Sequence, residues 1–180
     1  MNLKNRYNLL RLVAGVEWKT VFRTKQGLFE YTVMPFGLTN APASFQEMMN
    51  TMFKNMKGCI WYLNDILIYG GNTEAEHPPI VEKVLQQYIE HGLAVNLFKS
   101  EFHVKETIFL GYVINAEEVK IDPSKLETMY KWPIVTKKEE VQAFLGFAYY
   151  YCRFIVNYST KARHLMDLTK HVPFTCRHTQ

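Results

Sequence analysis

The stretch Gly58–Gly71, Gly-Cys-Ile-Trp-Tyr-Leu-Asn-Asp-Ile-Leu-Ile-Tyr-Gly-Gly, constrains the fold of this chain more than any other. Apolar residues from Ile60 to Tyr69 are interrupted only by Asn64-Asp65, and glycines close both ends. The pattern predicts a strand, a tight turn at the polar pair and a second strand, both largely buried. A carboxylate carried into a buried hairpin is costly to desolvate unless something neutralises it. A metal ion is one such partner. The plain alternative is that Asn-Asp is ordinary turn chemistry.

A chain of 180 residues holds one domain or two small ones. With 12 Phe and 11 Tyr it has material for a core and lacks the composition of a disordered segment. No apolar run approaches the ~20 residues of a membrane span. The start, Met-Asn-Leu-Lys-Asn-Arg-Tyr, has no signal-peptide core and reads as cut from something larger. Cys59, Cys152 and Cys176 match no zinc or disulfide pattern. They predict a reducing, intracellular setting, cytoplasm or nucleus, with no membrane partner. Net charge is +4, and Lys4, Arg6, Arg11, Lys19, Arg23 and Lys25 face Glu17 alone in the first 25 residues. That bias suits phosphate contacts and suits a solvated face equally.

Alternation predicts strands at 18–24 and 28–33 joined at Lys25-Gln26-Gly27. Asn40 ahead of Pro42 predicts a helix start, and Phe45, Met48, Met49, Met52, Phe53 and Met56 form its apolar stripe. The pair Pro78-Pro79 predicts a helix beginning near Pro79, running from about Ile80 to His91, with Val81, Val84, Leu85, Tyr88 and Ile89 inward. Thr107–Ile114 reads as a strand. Asp122-Pro123 opens a short helix with Leu126, Met129 and Tyr130 inward. Thr136-Lys-Lys-Glu139 reads as a capping box ahead of a helix carrying Val141, Phe144, Leu145, Ala148 and Cys152.

Tyr62-Leu63-Asn64-Asp65 resembles the palm signature of reverse transcriptases of the gypsy-like long-terminal-repeat retrotransposon class, in which the residue matching Asn64 is an aspartate. The resemblance runs from Asn2 to about Gln180. It implies an α/β (α+β) right-hand polymerase palm over 1–118, with an antiparallel sheet, helices on one face and a fingers-proximal hairpin at about 18–33. A small helical thumb follows over 119–171, and the start of a connection over 172–180. The 60–69 hairpin should be the central pair of the sheet, with Asn2 converging on Asn64-Asp65.

By the same resemblance Asn2 stands where the family carries its first catalytic aspartate, and Arg6 where it carries a glycine. Tyr7 matches the residue that screens the sugar of the incoming nucleotide, with a core aromatic as the alternative. Phe36, Gly37 and Gln46 match residues lying along nucleotide and template. Lys99 matches a lysine at the active-site edge, and Phe109-Leu110-Gly111-Tyr112 the hairpin that grips the primer end. Glu118 replaces a turn glycine, which implies strain of about 1 kcal/mol if φ is positive there. His77 matches a family histidine and also reads as a loop or capping residue.

In that family two magnesium ions, held by three carboxylates, promote attack of a primer hydroxyl on a nucleotide phosphate. Here Asp65 is the one carboxylate, with Asn2 and Asn64 at the other two positions. The expected magnesium site, at Asp65, is therefore weak or absent. The chain reads as a catalytically impaired domain that binds an RNA/DNA duplex or hybrid, or a protein partner. The alternative is an active RNA-directed DNA polymerase or a fragment of one.

Overall fold

The computed structural model describes residues 1–4, 7–71 and 73–170. The chain forms two compact units, Met1–Val104 and Lys105–Gln180. In the first, β1 (Phe22–Thr24) and β2 (Gly27–Phe29) make a hairpin shorter than the strands expected over 18–24 and 28–33, because Glu17–Thr20 winds into a 3-10 turn and pairing ends at Phe29. Helix α1 (Ala41–Phe53) leads into the hairpin of β3 (Cys59–Tyr62) and β4 (Asp65–Ile68), and α2 (His77–Glu90) follows.

The core of this unit lies on one face of the hairpin. Phe45, Met49 and Phe53 of α1 and Val84 and Tyr88 of α2 pack with Cys59 and Ile66, together with Leu3, Tyr7, Met34 and Leu93. Phe53 meets Trp61 at 5.3 Å and Tyr88 edge-on at 5.8 Å between ring centres. The opposite face is open: Ile60 and Tyr62 are about half exposed. The hairpin is thus buried on one side and not both, as a two-residue side-chain period on an antiparallel pair allows.

Four expectations shift. The turn is Leu63-Asn64, since Tyr62 pairs with Asp65 and Asp65 opens β4. Helix α2 starts at His77, with both prolines in its first turn, where missing N–H groups cost nothing. Ile89 is exposed, because the inward stripe passes through Val84 and Tyr88. The hairpin is also not the central pair. β4 is flanked by β3 and by the residues around Asn2, which bridge onward to Val95.

The Tyr88 hydroxyl is buried and has no hydrogen-bond partner among the described residues. Burial, followed by the charges of Cys59 and Asp65, pushes its phenol well above the ordinary value. In the unfolded chain that phenol ionises near pH 10 while the folded one keeps its proton, so stability falls as pH rises above about 10. Tyr88→Phe should raise Tm at neutral pH, by about 1 kcal/mol of stability for a lost orphan hydroxyl. It should also flatten the alkaline decline. A marked loss of stability on thermal melting would mean that the hydroxyl has a partner.

In the second unit β5 (Glu106–Phe109), β6 (Tyr112–Asn115) and β7 (Val119–Ile121) form an antiparallel meander. Helices α3 (Pro123–Tyr130), α4 (Lys138–Tyr150) and α5 (Tyr158–Leu168) follow. The expected single strand over 107–114 is broken by a Leu110-Gly111 turn. The meander groups with these helices, and the two units part between Val104 and Lys105. The Asp122 carboxylate caps α3 through the Ser124 N–H at 2.9 Å. Tyr130 is exposed, not inward. Before α4 the capping carboxylate is Glu140, which accepts from Thr136 N at 2.8 Å and Lys137 N at 3.2 Å. These bonds hold its carboxyl below the ordinary range. Glu118 does not have positive φ, and the turn is closed by Asn115 Oδ1 accepting from Glu117 N and Glu118 N, so the implied strain is absent. The connection expected over 172–180 lies outside the described residues, as does Arg6.

Candidate functional site

Backbone pairing places the site. Leu3 N donates to Asn64 O and Ile66 N to Met1 O, each at 2.8 Å, which sets Asn2 opposite Asp65. On the other side Lys4 N donates to Ala94 O and Asn96 N to Asn2 O, also at 2.8 Å. The Asn2 Nδ2 amide donates to Asp65 Oδ1 at 2.5 Å, and Asn64 Nδ2 reaches the same oxygen at 3.4 Å. The shorter bond carries the interaction, since strength falls steeply toward the outer limit. Asp65 is half-buried.

The turn that presents Asn64 is strained. Leu63 has φ +51° and Asn64 does not share it, the pattern of a type II′ turn, which prefers glycine at its first central position. A leucine there costs about 1–2 kcal/mol. Helix α1 offsets part of this with a polar ladder. Gln46 Oε1 accepts from Leu63 N at 2.7 Å, and Asn50 Oδ1 accepts from Gln46 Nε2 and Trp61 Nε1, both at 2.9 Å. Gln46 and Asn50 are four residues apart, so one helical face holds both the turn and β3.

Tyr7 is buried and meets Phe36 and Phe45 edge-on, with ring centres 5.1 and 6.0 Å away. Phe36 is exposed beside Gly37, whose φ is +101° and over whose Cα there is open space. The exposed Lys99 ends a short 3-10 turn, Leu97–Lys99. Next to it the Ser100 hydroxyl accepts from Asn2 N at 3.0 Å and donates to Asn96 O at 2.7 Å. Contacts together with chain adjacency at Phe45-Gln46 and Leu63-Asn64-Asp65 link Phe36, Tyr7, Gln46, Leu63, Asp65, Asn2 and Ser100 in one run. His77 Nδ1 donates to Gly70 O at 3.1 Å, at the other end of the hairpin.

Leu110 and Gly111 belong to the second unit. Both have positive φ, 52° and 80°, as a type I′ turn requires. Tyr150 fastens this turn to α4: its hydroxyl donates to Leu110 O and its carbonyl accepts from Tyr112 Oη, each at 2.8 Å. A Cβ at Gly111 would fall 2.8 Å from Tyr151 Oη. Sequence reasoning did not single out Ser100, Asn50 or Leu63. The Gln46/Asn50 spacing was the one signal that could have pointed to the ladder. Among the described residues no three His, Cys, Asp or Glu gather to form a metal site.

A family profile described as reverse transcriptase (RNA-dependent DNA polymerase) matches residues 1–114. The chain belongs to the reverse transcriptase family. Relatives within that family are transposon polyproteins. The retrovirus-related Pol polyprotein from transposon 297 of Drosophila melanogaster is 40% identical over 84% of this chain and 14% of the relative. The transposon Tf2-3 polyprotein of Schizosaccharomyces pombe is 35% identical over 94% of this chain and 13% of the relative. The chain thus spans about one seventh of the length of these reverse transcriptase relatives. Foamy viral protease-reverse transcriptase in complex with double-stranded DNA is similar in structure, with TM-score 0.84 and 27% identity over 94% of this chain and 30% of that one. The same viral protein in complex with an RNA/DNA hybrid gives TM-score 0.78 at 27% identity, over 94% of this chain and 23% of that one. The antiparallel sheets and flanking helices are those of the reverse transcriptase palm and thumb. No helix among the described residues is long and apolar enough to cross a membrane.

Proposed function

We propose that this chain is a catalytically impaired reverse transcriptase domain of retrotransposon type that still binds nucleic-acid duplex or hybrid. One observation carries the first half. Of the three side chains Asn2, Asn64 and Asp65 brought together by the N-terminal segment and β4, Asp65 alone is a carboxylate, and it receives the amide of Asn2 at 2.5 Å, with Asn64 beside it. A magnesium pair demands concentrated anionic oxygen ligands. Asp65 offers a single negative charge, and the two neighbouring amides turn N–H groups toward it. This donor set does not fit two magnesium ions, so no catalytic step is routed through them. Asn2 and Asn64 are read as standing where active members carry aspartate, and Asp65 as a weak cation ligand.

The binding half rests on exposed cations. Arg11, Lys19, Arg23 and Lys25 in the first unit and Lys137 and Arg153 in the second are exposed and form no ion pair among the described residues. Such groups contact phosphates without a metal. Phe36, Gly37, Gln46 and Lys99 are proposed to line the nucleotide and template path, with the buried Tyr7 packed behind Phe36 as its support, and Leu110 and Gly111 the primer end. Similarity to foamy viral complexes with double-stranded DNA and RNA/DNA hybrid supports the same partner class here.

The second reading is an active RNA-directed DNA polymerase supplied as a piece of a longer polyprotein. It is favoured by the small share of the transposon relatives that this chain spans. A primer–template titration at 50 and 200 mM salt, run beside an extension assay with magnesium or manganese, separates the two. The expected result is no extension and a loss of affinity of about tenfold if two phosphates are contacted. Processive extension would establish the second reading, and no binding at 50 mM salt would leave a protein partner as the role.

A further inference from the structure

A cavity of about 730 Å³ opens at the end of the β3–β4 hairpin away from the Leu63-Asn64 turn. Four residues of strand separate the two ends, on the order of 13 Å. Lys54 and Lys57, at and just beyond the end of α1, and Lys83 of α2 line the cavity, above a floor containing Met52, Met56 and Ile80. None of the three lysines forms an ion pair among the described residues, and every ion pair there lies in the second unit. No carboxylate is among the residues that line it; Glu76 lies beside Gly71, and Glu90 on α2 is held by the Gln86 and Gln87 amides.

Lining one concavity with three lysines and no carboxylate is unfavourable in the empty protein. Lys54 has a local explanation, since it caps the C-terminus of α1, where a cation is favoured. Lys57 and Lys83 have none. Their convergence depends on the close approach of the hairpin base to α2. A Cβ on Gly70 would strike Ile80 and lie 2.8 Å from Gly58 Cα, so only glycine permits that approach.

The cavity has the size of small-molecule sites, which run to ~1,000 Å³. No aromatic side chain lines it, so it lacks the stacking platform that single-stranded nucleic acid uses. We propose that it binds a small polyphosphate, meaning a compound with two or more linked phosphates, free or as an ester, whose charge meets Lys54, Lys57 and Lys83. The site is separate from Asp65 and does not depend on the reading of that cluster.

The test is an amide-resonance titration of the 15N-labelled chain with sodium tripolyphosphate at low salt, without divalent ions. Saturable shifts are expected at Lys57, Gly58, Gly70 and Gly71 and not at Leu63 or Asp65, with a midpoint below about 1 mM, roughly −4 kcal/mol. The Lys54→Gln, Lys57→Gln, Lys83→Gln variant should raise the midpoint at least tenfold. A control with the same net charge, Lys131→Gln, Lys161→Gln, Lys170→Gln, should leave it unchanged. A parallel titration with adenosine triphosphate distinguishes the sources. A tighter midpoint assigns the site to esters, and an equal one to the phosphate chain itself. Equal loss in the control variant, shifts spread over the whole surface, or a short DNA duplex moving the same amides more tightly would each overturn the proposal.

Discussion

With Asn2→Asp and Asn64→Asp combined, the chain is expected to melt well below the parent in chelator and to recover that loss in magnesium or manganese. The parent stabilises Asp65 with the Asn2 amide at 2.5 Å and the Asn64 amide at 3.4 Å. A hydrogen bond to a charged group is worth about 1.5–3 kcal/mol, and the double change replaces two donors with two negative charges. Mutual repulsion adds to the loss, reduced by solvent because Asp65 is only half-buried. The total is roughly 2–4 kcal/mol, a fall on the order of 10–20 °C for a unit of this size. A divalent ion then meets three carboxylates in place of one, and saturation a hundredfold above its Kd returns about 2.7 kcal/mol. Each single variant should gain much less than half, because the groups would face the same ions. Calorimetric titration and thermal melts at several metal concentrations read this out. Additive single changes, or a double variant indifferent to metal, would show that the three side chains do not share a cation site.

The parts of this arrangement that could be read in the sequence are those with a local signature. The β3–β4 and β1–β2 hairpins, the α1 stripe and the Asp122 cap each lie within a few residues of the signal that announces them. The errors are also local, and they come from competing chemistry. Asn64-Asp65 offers good turn residues, yet the pairing of Tyr62 with Asp65 moves the turn back onto Leu63, a residue poorly suited to positive φ. Tertiary contacts decide that register, through Gln46 on the Leu63 N–H and Leu3 on the Asn64 carbonyl. Ser100 could not have been found from spacing, because its bond to Asn2 N spans 98 residues and leaves no periodic trace. Helix α5 was not anticipated either. It follows Asn157, held at φ +56°, which two residues separate from a 3-10 turn at Cys152–Phe154, and Asn157 makes no side-chain capping bond. The convergence of Asn2 with Asp65 was expected by family resemblance, and strand pairing provides it physically.

Phe53→Ala should be the most damaging single substitution in the first unit. Phe53 is fully buried and joins three elements, since it belongs to α1, meets Trp61 of β3 at 5.3 Å and meets Tyr88 of α2 at 5.8 Å. Truncating a buried phenylalanine costs about 3–5 kcal/mol, from lost transfer energy and the cavity left behind. A unit of about a hundred residues has a total stability of about 5–15 kcal/mol, so most of the margin can disappear. Trp61 is also tied to Asn50 through its indole N–H, and Asn50 to Gln46, which holds the Leu63 turn. Loss of the Phe53 ring should therefore loosen the presentation of Asn64 and Asp65 before the unit unfolds. Amide exchange at Leu63 and Ile66 should accelerate in the variant at temperatures where far-UV circular dichroism is still native. Phe98→Ala is the contrasting case: Phe98 is fully exposed, and its removal should change stability by no more than about 0.5 kcal/mol. Equal melting of the two variants would mean that the α1–β3–α2 junction is not the core that positions the site.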